Sequence, residues 1–310
     1  ASRRWCISPL VHLAAGASGV DLTRLCISIS MLSALLPSTF ALVPHGRPQQ
    51  TSALHRRGVL ELGAATAASA FLPAAPAVAA EDEVKMYFGA GCFWHVQHEF
   101  ILKEAQELGR SGAKFTAVSG YAGGVGPEVY KLGNDGRLYS SLVKKDGVDQ
   151  NLVCYHNRGS IADYGRLGHA EAVQVSVPTD AVPAFAKKYI SIFGQRGFRH
   201  DPQDRGGEYR SVLGLPGGTR SPHYKAFEAA LEGSPMKLVA STKGSDGDTL
   251  GERTILVMDS DKFPFYPAEL YHQFHNDFQG PAYGKAYNML QGILAKEGKI
   301  GTTGCPEDAF

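Results

Sequence analysis

Val84-Lys85-Met86-Tyr87-Phe88-Gly89-Ala90-Gly91-Cys92-Phe93-Trp94 is the stretch whose reading decides the fold. Its first six residues read as a strand. After them, apolar side chains fall at Phe93, Val96, Phe100, Ile101, Ala105 and Leu108, a helical spacing that stops at Gly109. Cys92 therefore stands where a strand turns into a helix, at the helix N-terminus. Free amide N–H groups and the positive end of the macrodipole stabilise a thiolate there. Two aromatics follow at once and can wall a small apolar pocket around the sulfur. A thiolate beside such a pocket is a nucleophile for a compact, partly apolar substrate. A second reading stays open at this point: a buried structural Cys in a helix that packs on a sheet.

Outward from this stretch, 115–119 reads as a strand and 120–126 as a glycine-rich loop holding Tyr121. Residues 127–165 are polar and irregular, a long surface excursion of the kind that is usually functional or flexible. Residues 171–177 alternate as a half-buried strand. A helix through Val182, Phe185, Ala186, Tyr189, Ile190 and Phe193 follows, capped by Thr179 or Asp180. Strands are expected at 211–215, 237–240 and 254–258. Ser221-Pro222 opens a helix to Leu231, and 268–278 and 283–296 look helical. The tail from Gly298 to Pro306 is glycine-rich and reads as mobile. Strands and helices alternate only partly. The expected class is therefore α+β, a two-layer sandwich with helices on a mixed sheet and Cys92 at a strand-to-helix turn.

Of the 310 residues, 31 are Lys or Arg and 30 Asp or Glu, a net charge of +1. No basic stripe with interleaved aromatics is present, so nucleic acid is not implied. Residues 1–80 carry only Asp21 and Glu61 as acids and are rich in Ala, Ser, Leu and Arg, the composition of a targeting presequence. Residues 25–43 form an apolar run behind Arg3, Arg4 and Arg24, and an acid-free stretch follows to Arg57. Arg56-Arg57-Gly58-Val59-Leu60, an Ala-rich run and Ala77-Val78-Ala79 then resemble a twin-arginine export signal. This order points to a plastid and onward to the thylakoid lumen. A single transmembrane anchor is the competing reading, but a span needs ~20 predominantly apolar residues and these runs are short. The chain divides into a presequence, 1–80, and one domain, 81–310, expected to be a monomer without stable membrane insertion after processing.

Of five cysteines, Cys6 and Cys26 lie in the presequence, leaving Cys92, Cys154 and Cys305. Three scattered cysteines without a CxxC make no disulfide scaffold. An odd count, with one Cys in an activated turn, favours thiol chemistry over stapling.

Four separated segments resemble the type A peptide-methionine sulfoxide reductases. Gly89-Ala90-Gly91-Cys92-Phe93-Trp94 is similar to the family's active-site turn, and Gly168-His169-Ala170-Glu171-Ala172-Val173 to the segment bearing its catalytic carboxylate. Asp204-Arg205-Gly206-Gly207-Glu208-Tyr209-Arg210-Ser211 resembles its Asp…Gln-Tyr-Arg-Ser element. Phe265-Tyr266-Pro267-Ala268-Glu269-Leu270-Tyr271-His272-Gln273 resembles its Ala-Glu-x-Tyr-His-Gln run. The resemblance covers roughly residues 84–280 and implies a reaction. Cys92 attacks the sulfoxide sulfur and becomes a sulfenic acid. Glu171, held protonated by burial, protonates the leaving oxygen. Phe93 and Trp94 receive the substrate methyl group. Tyr209 hydrogen-bonds the sulfoxide oxygen, and Asp204 helps to order the site. Cys305 in the tail resembles the resolving cysteine, and thioredoxin or a similar dithiol restores the thiol. No cofactor or metal is implied.

The chain departs from the family pattern in three places. His95 stands where Gly is usual, and Glu208 replaces Gln. The segment before Gly168 is expanded, so Tyr155 and Tyr164 compete as the second site tyrosine, Tyr164 being preferred as nearer to Glu171. Cys154 is a packed Cys or an alternative resolving thiol. His95-Val96-Gln97-His98 and His272-Gln273-Phe274-His275 are both HxxH, read as surface or hydrogen-bonded histidines rather than metal ligands. Two other classes remain: a Cys-His thiol hydrolase pairing Cys92 with His169, and a non-catalytic module that binds oxidised methionine.

Overall fold

The computed structural model describes residues 82–306; the presequence assignments on 1–80 lie outside the described residues. In chain order the elements are β1 (Glu83–Gly89), α1 (Phe93–Leu108), β2 (Val118–Ala122), β3 (Glu128–Gly133), β4 (Leu138–Ser140), β5 (Gly147–Leu152), β6 (Ala170–Pro178) and α2 (Val182–Ile192). There follow β7 (Val212–Leu215), α3 (Tyr224–Ala230), β8 (Lys237–Ala240), β9 (Thr254–Asp259), β10 (Tyr266–Pro267), α4 (Lys285–Asn288) and α5 (Leu290–Lys296). Seven strands form one mixed sheet in the order β10-β2-β6-β1-β7-β9-β8, antiparallel from β10 to β7 and parallel from β7 to β8. The fold is α+β.

Alternation along β1 sets the two faces of this sheet. Met86 and Phe88 pack with Val173, Val175, Leu213 and Val257 and with the buried stripes of α1, α2 and α3. Phe88 stacks on Phe100 of α1 at 4.4 Å between ring centroids. Burying a side chain of this size contributes ~1.5–3 kcal/mol. Tyr87 points to the other face, among Ala122, Ala172, Val212 and Met258. There Gly214 lies directly under its ring, where any Cβ would collide with the phenol. The helices thus make one layer and the sheet the other. Among the described residues no helix is long and apolar enough to cross a membrane.

α1 ends as its sequence requires. Gly109 adopts φ 60° in the left-handed region, and its N–H bonds Glu104 O. The helix expected at 179 begins with a 3-10 turn, Thr179–Ala181, and the Thr179 hydroxyl donates to Asp82 O instead of capping. The helix expected at Ser221 starts at Tyr224.

Four expectations are corrected. The strand read at 115–119 lies three residues later, so Tyr121 belongs to β2 and not to a loop. Residues 127–165 are not merely irregular: β4, β3 and β5 form a second, antiparallel sheet. The stretch 268–278 is not a helix; it holds a 3-10 turn, Leu270–His272, followed by loop. Here the Gln273 side chain replaces helical pairing, donating to Ser119 O and Ala268 O and accepting from Ser119 N. Finally, the glycine-rich tail is anchored: Ile300 is buried and Cys305 is bonded to Cys154.

Candidate active site

The turn between β1 and α1 is shaped by Gly91 at φ 83°, where a Cβ would also strike the Asp204 carboxylate. This turn leaves Cys92 at the N-cap of α1, with no cap from its own side chain. Two remote carboxyls take the exposed amides instead. Asp204 Oδ2 accepts from Cys92 N at 2.8 Å, and Glu171 Oε2 accepts from Phe93 N at 2.9 Å. Glu171 arrives there on β6, paired with Tyr121 of β2. Gly91 N donates to Tyr209 O, which fixes the Gly207–Tyr209 turn against the same loop. Cys92, Phe93, Trp94, Tyr155, Glu171, Asp204 and Tyr209 line one cavity of about 60 Å³, with Asp201, Asp277 and Phe278 at its edge. Four segments distant in sequence therefore converge.

The electrostatics oppose part of the sequence reading. Burial, then the charge of Glu171, pushes the Cys92 thiol well above its ordinary range, although the Trp94 amide pulls it down. The helix N-terminus does not make a resting thiolate: burial outweighs the pull of the Trp94 amide, and Asp204 and Glu171 take the Cys92 and Phe93 amides. Glu171 is pushed up to about 8, chiefly by burial and in part by the charges of Asp204 and Glu208. It is a neutral acid at neutral pH. Asp204 is raised to about 6, again first by burial. Tyr209 is raised by burial and by Glu171, so its hydroxyl is a donor.

The aromatic wall is deep. Trp94 stacks on His275 at 4.1 Å and meets the edge of Phe278. Phe93 packs on His272 and Tyr121. Glu269 pins two tyrosines at once, accepting from Tyr121 OH and from the Tyr155 amide. Of the two tyrosines, Tyr155 lines the cavity, and Tyr164 stands behind Glu171 with its hydroxyl 3.4 Å from Oε1. Tyr164 is buried, held by the turn in which its N–H bonds Cys154 O. Glu208 lies 3.5 Å from the Tyr164 hydroxyl and 3.3 Å from His156 Nε2. Glu208, and then Asp163, hold His156 protonated, raised to about 9.

His169 does not reach Cys92. Its Nδ1 accepts from Gly124 N and its Nε2 faces Gly126 O, each at 3.0 Å. Burial lowers it to about 4. Both nitrogens are engaged by backbone, which removes the Cys-His dyad. In the first HxxH His95 stacks on His200 and His98 on Tyr283, and in the second His272 packs on Phe93 and His275 on Trp94. The pairing of Cys154 with Cys305, the edge residues Asp201, Asp277 and Phe278, and the role of His275 under Trp94 were missed. A second ring carried by the 272–278 run, rich in His and Phe, is the signal that pointed there. Cys154 is buried as expected of a packed Cys, but it is bonded to Cys305, and Cys92 is the free thiol among the described residues.

No family model matches the chain. The peptide methionine sulfoxide reductase MsrA of Bacillus pumilus (strain SAFR-032) is 29% identical over 109 residues, 35% of this chain and 54% of that protein. The chain thus spans about half the length of the curated relative it matches. Two solved structures are similar. One is methionine sulfoxide reductase A of Corynebacterium diphtheriae, at 16% identity over 66% of this chain and 81% of that one, TM-score 0.37. The other is Mxr1 from Saccharomyces cerevisiae in reduced form, at 17% over 61% and 82%, TM-score 0.31. Three of the four motif segments line the cavity, and over about a third of its length the chain is similar to the Bacillus peptide methionine sulfoxide reductase.

Proposed function

We propose that this chain reduces the S epimer of methionine sulfoxide, in proteins and as the free amino acid, to methionine. The observation that carries the reading is a buried Glu171, its acid pushed up to about 8 by that burial, that lines one aromatic-walled cavity with Cys92. The substrate methyl group packs on Trp94 and Phe93, and the sulfoxide oxygen takes hydrogen bonds from Glu171 and Tyr209. Glu171 gives its proton to that oxygen as Cys92 sulfur bonds the substrate sulfur, and the thiol proton replaces it on Glu171. Oxygen transfer then leaves a sulfenic acid on Cys92 and the free thioether, with atoms and charge balanced. Protonated Glu171 also lacks the charge that opposes the thiolate, so the thiol is easiest to ionise while the acid is loaded.

A thiol of the second pair, Cys305 or alternatively Cys154, condenses with the sulfenic acid, releasing water. Exchange with its partner frees Cys92 and leaves Cys154–Cys305 oxidised, the bond seen here beside a free Cys92. Thioredoxin or a similar dithiol reduces that bond. A non-catalytic binding module has no need of a proton donor held near neutrality, and we set it second. The deciding experiment is turnover on separated S and R sulfoxide epimers, with dithiothreitol and with thioredoxin. Reduction of the S epimer alone supports the reading; no reduction by a folded protein refutes it. Targeting to a plastid is carried by the sequence of 1–80, and a fluorescent fusion of those residues that stays in the cytosol would refute it.

A further inference from the structure

We propose that His95, His200 and Asp277 form a binding site for a divalent transition-metal cation at the rim of the Cys92 cavity. The sequence sets His95 beside His98, three residues on, and the fold sets it elsewhere. One ligand atom from each of His95, His200 and Asp277 lies within 4.8 Å of the others. The three come from separate parts of the chain: α1, the loop after α2 and the loop before α4. Asp277 Oδ2 is buried, in a side chain only 3% exposed, with no hydrogen bond of good geometry, although the Tyr283 hydroxyl interacts with the same carboxyl. Its close neighbour is His200 Nε2 at 3.4 Å. The other carboxylate oxygen is already used by the Phe278 amide at 2.7 Å. A buried carboxylate oxygen aimed at two imidazoles is an incomplete arrangement that a cation would complete.

Two imidazoles and one carboxylate select the borderline cations, Zn²⁺, Fe²⁺, Co²⁺ or Ni²⁺, over Ca²⁺ or Mg²⁺. His95 Nδ1 lies 3.5 Å from the Tyr283 hydroxyl, a partner that orients the ring. The rings of His95 and His200 now lie face to face, 3.8 Å apart at 6°. Their lone pairs therefore run in parallel planes, and one ring must turn for both to meet an ion at about 2.0–2.1 Å. His200 is the one that turns, since its side chain is 38% exposed. Asp277 lines the Cys92 cavity, so a bound ion would tie α1 to two loops that frame that cavity and leave a ligand position toward it. The site stands apart from the reductase reading, because binding is measured without turnover.

The test is titration of the full chain with Co²⁺, followed by visible absorption, and with Zn²⁺, followed by calorimetry. A Cys6→Ser, Cys26→Ser, Cys92→Ser background removes the thiols outside the Cys154–Cys305 pair as ligands. Binding of a single equivalent is expected. His200→Ala, Asp277→Asn and His95→Gly are each expected to weaken it by roughly ten- to a hundred-fold or more. His98→Ala is expected to leave it unchanged. Circular dichroism checks each fold; if His200→Ala or His95→Gly is unstable, the isosteric Asp277→Asn decides. Absence of binding, or equal affinity in wild type and Asp277→Asn, overturns the site.

Discussion

Glu171 Oε2 accepts a 2.9 Å hydrogen bond from the Phe93 amide, so the buried acid is seated on the N-terminus of the helix that carries the Cys92 thiol. Strand β6 brings the acid and the β1–α1 turn brings the thiol, and these strands are direct neighbours in register. The position of the proposed proton donor is therefore set by sheet pairing and not by a loop, which favours precise placement.

The pH dependence follows from this seat. Glu171 is pushed up to about 8, mainly by burial. The donating, protonated form is present below that value and is lost as pH rises through it. Turnover of the S sulfoxide is therefore expected to fall as pH rises through about 8. Glu171→Gln keeps the shape without the acid, so turnover should drop by roughly a hundred- to ten-thousand-fold. The remaining rate should lose its fall near that pH. A wild-type rate that keeps rising through alkaline pH would remove Glu171 as the donor.

Asp204 is placed to hold the thiol back. Its carboxylate accepts from Cys92 N, and its negative charge raises both Cys92 and Glu171. Asp204→Asn keeps the size and removes the charge. Two shifts are expected together: iodoacetamide modifies Cys92 roughly several-fold faster near neutral pH, and the alkaline fall in turnover moves to lower pH. The alkylation is read by peptide mapping with Cys154–Cys305 oxidised, so that Cys92 is the thiol that reacts among the described residues. An unchanged alkylation rate would show that burial and Glu171, and not Asp204, keep the thiol neutral.

The β1–α1 turn was legible because local rules and tertiary structure agree there: a strand, a helical stripe and a stop at Gly109. β2 was misplaced because Gly120 breaks a strand pattern. The fold needs that glycine, since a Cβ there would run into the Tyr266 carbonyl and the Phe265 ring. β3, β4 and β5 escaped notice because most of their side chains are at least partly exposed, so no apolar alternation marks them. The helical spacing at 268–278 was overridden by Gln273, whose amide takes the place of a pairing residue against Ser119. The carboxylate, the thiol and the aromatic pair were visible as motifs. Their electrostatics were not, because burial outweighs the Trp94 amide at the thiol and the first two amides of the turn are claimed by residues 78 and 112 positions away.

Arg210 holds three loops around this site. It is 1% exposed and donates to Gly207 O at 2.6 Å and to Gly123 O and Gly168 O at 2.9 Å. Burial lowers it to about 10, which still leaves it charged at neutral pH. Arg210→Met matches its length and strands three carbonyls. The expected loss is about 3–5 kcal/mol, read from urea unfolding. Turnover should fall even where the variant remains folded, because Gly168 precedes Glu171 and Gly207 begins the turn of Tyr209. A loss within about 0.5 kcal/mol, the range of ordinary surface changes, would mean that the loops are held by other contacts.

The last prediction concerns which thiol meets the sulfenic acid. Cys154 follows Val153 and precedes Tyr155, a wall of the cavity, while Cys305 arrives from the tail. Their bond spans 151 residues, so opening it releases a long closure worth roughly 4–5 kcal/mol by chain entropy. The reduced protein should thus melt lower than the oxidised one, and its tail should be the part that loosens. With Cys305 as resolver, Cys305→Ser treated with a single equivalent of sulfoxide accumulates a Cys92 sulfenic acid that dimedone traps. Cys154→Ser instead accumulates a Cys92–Cys305 linked peptide, and wild type ends with Cys154–Cys305 and free Cys92. Peptide mapping by mass separates these products. A Cys92–Cys154 peptide in Cys305→Ser that still turns over with thioredoxin would give the resolving role to Cys154 and leave Cys305 as its exchange partner.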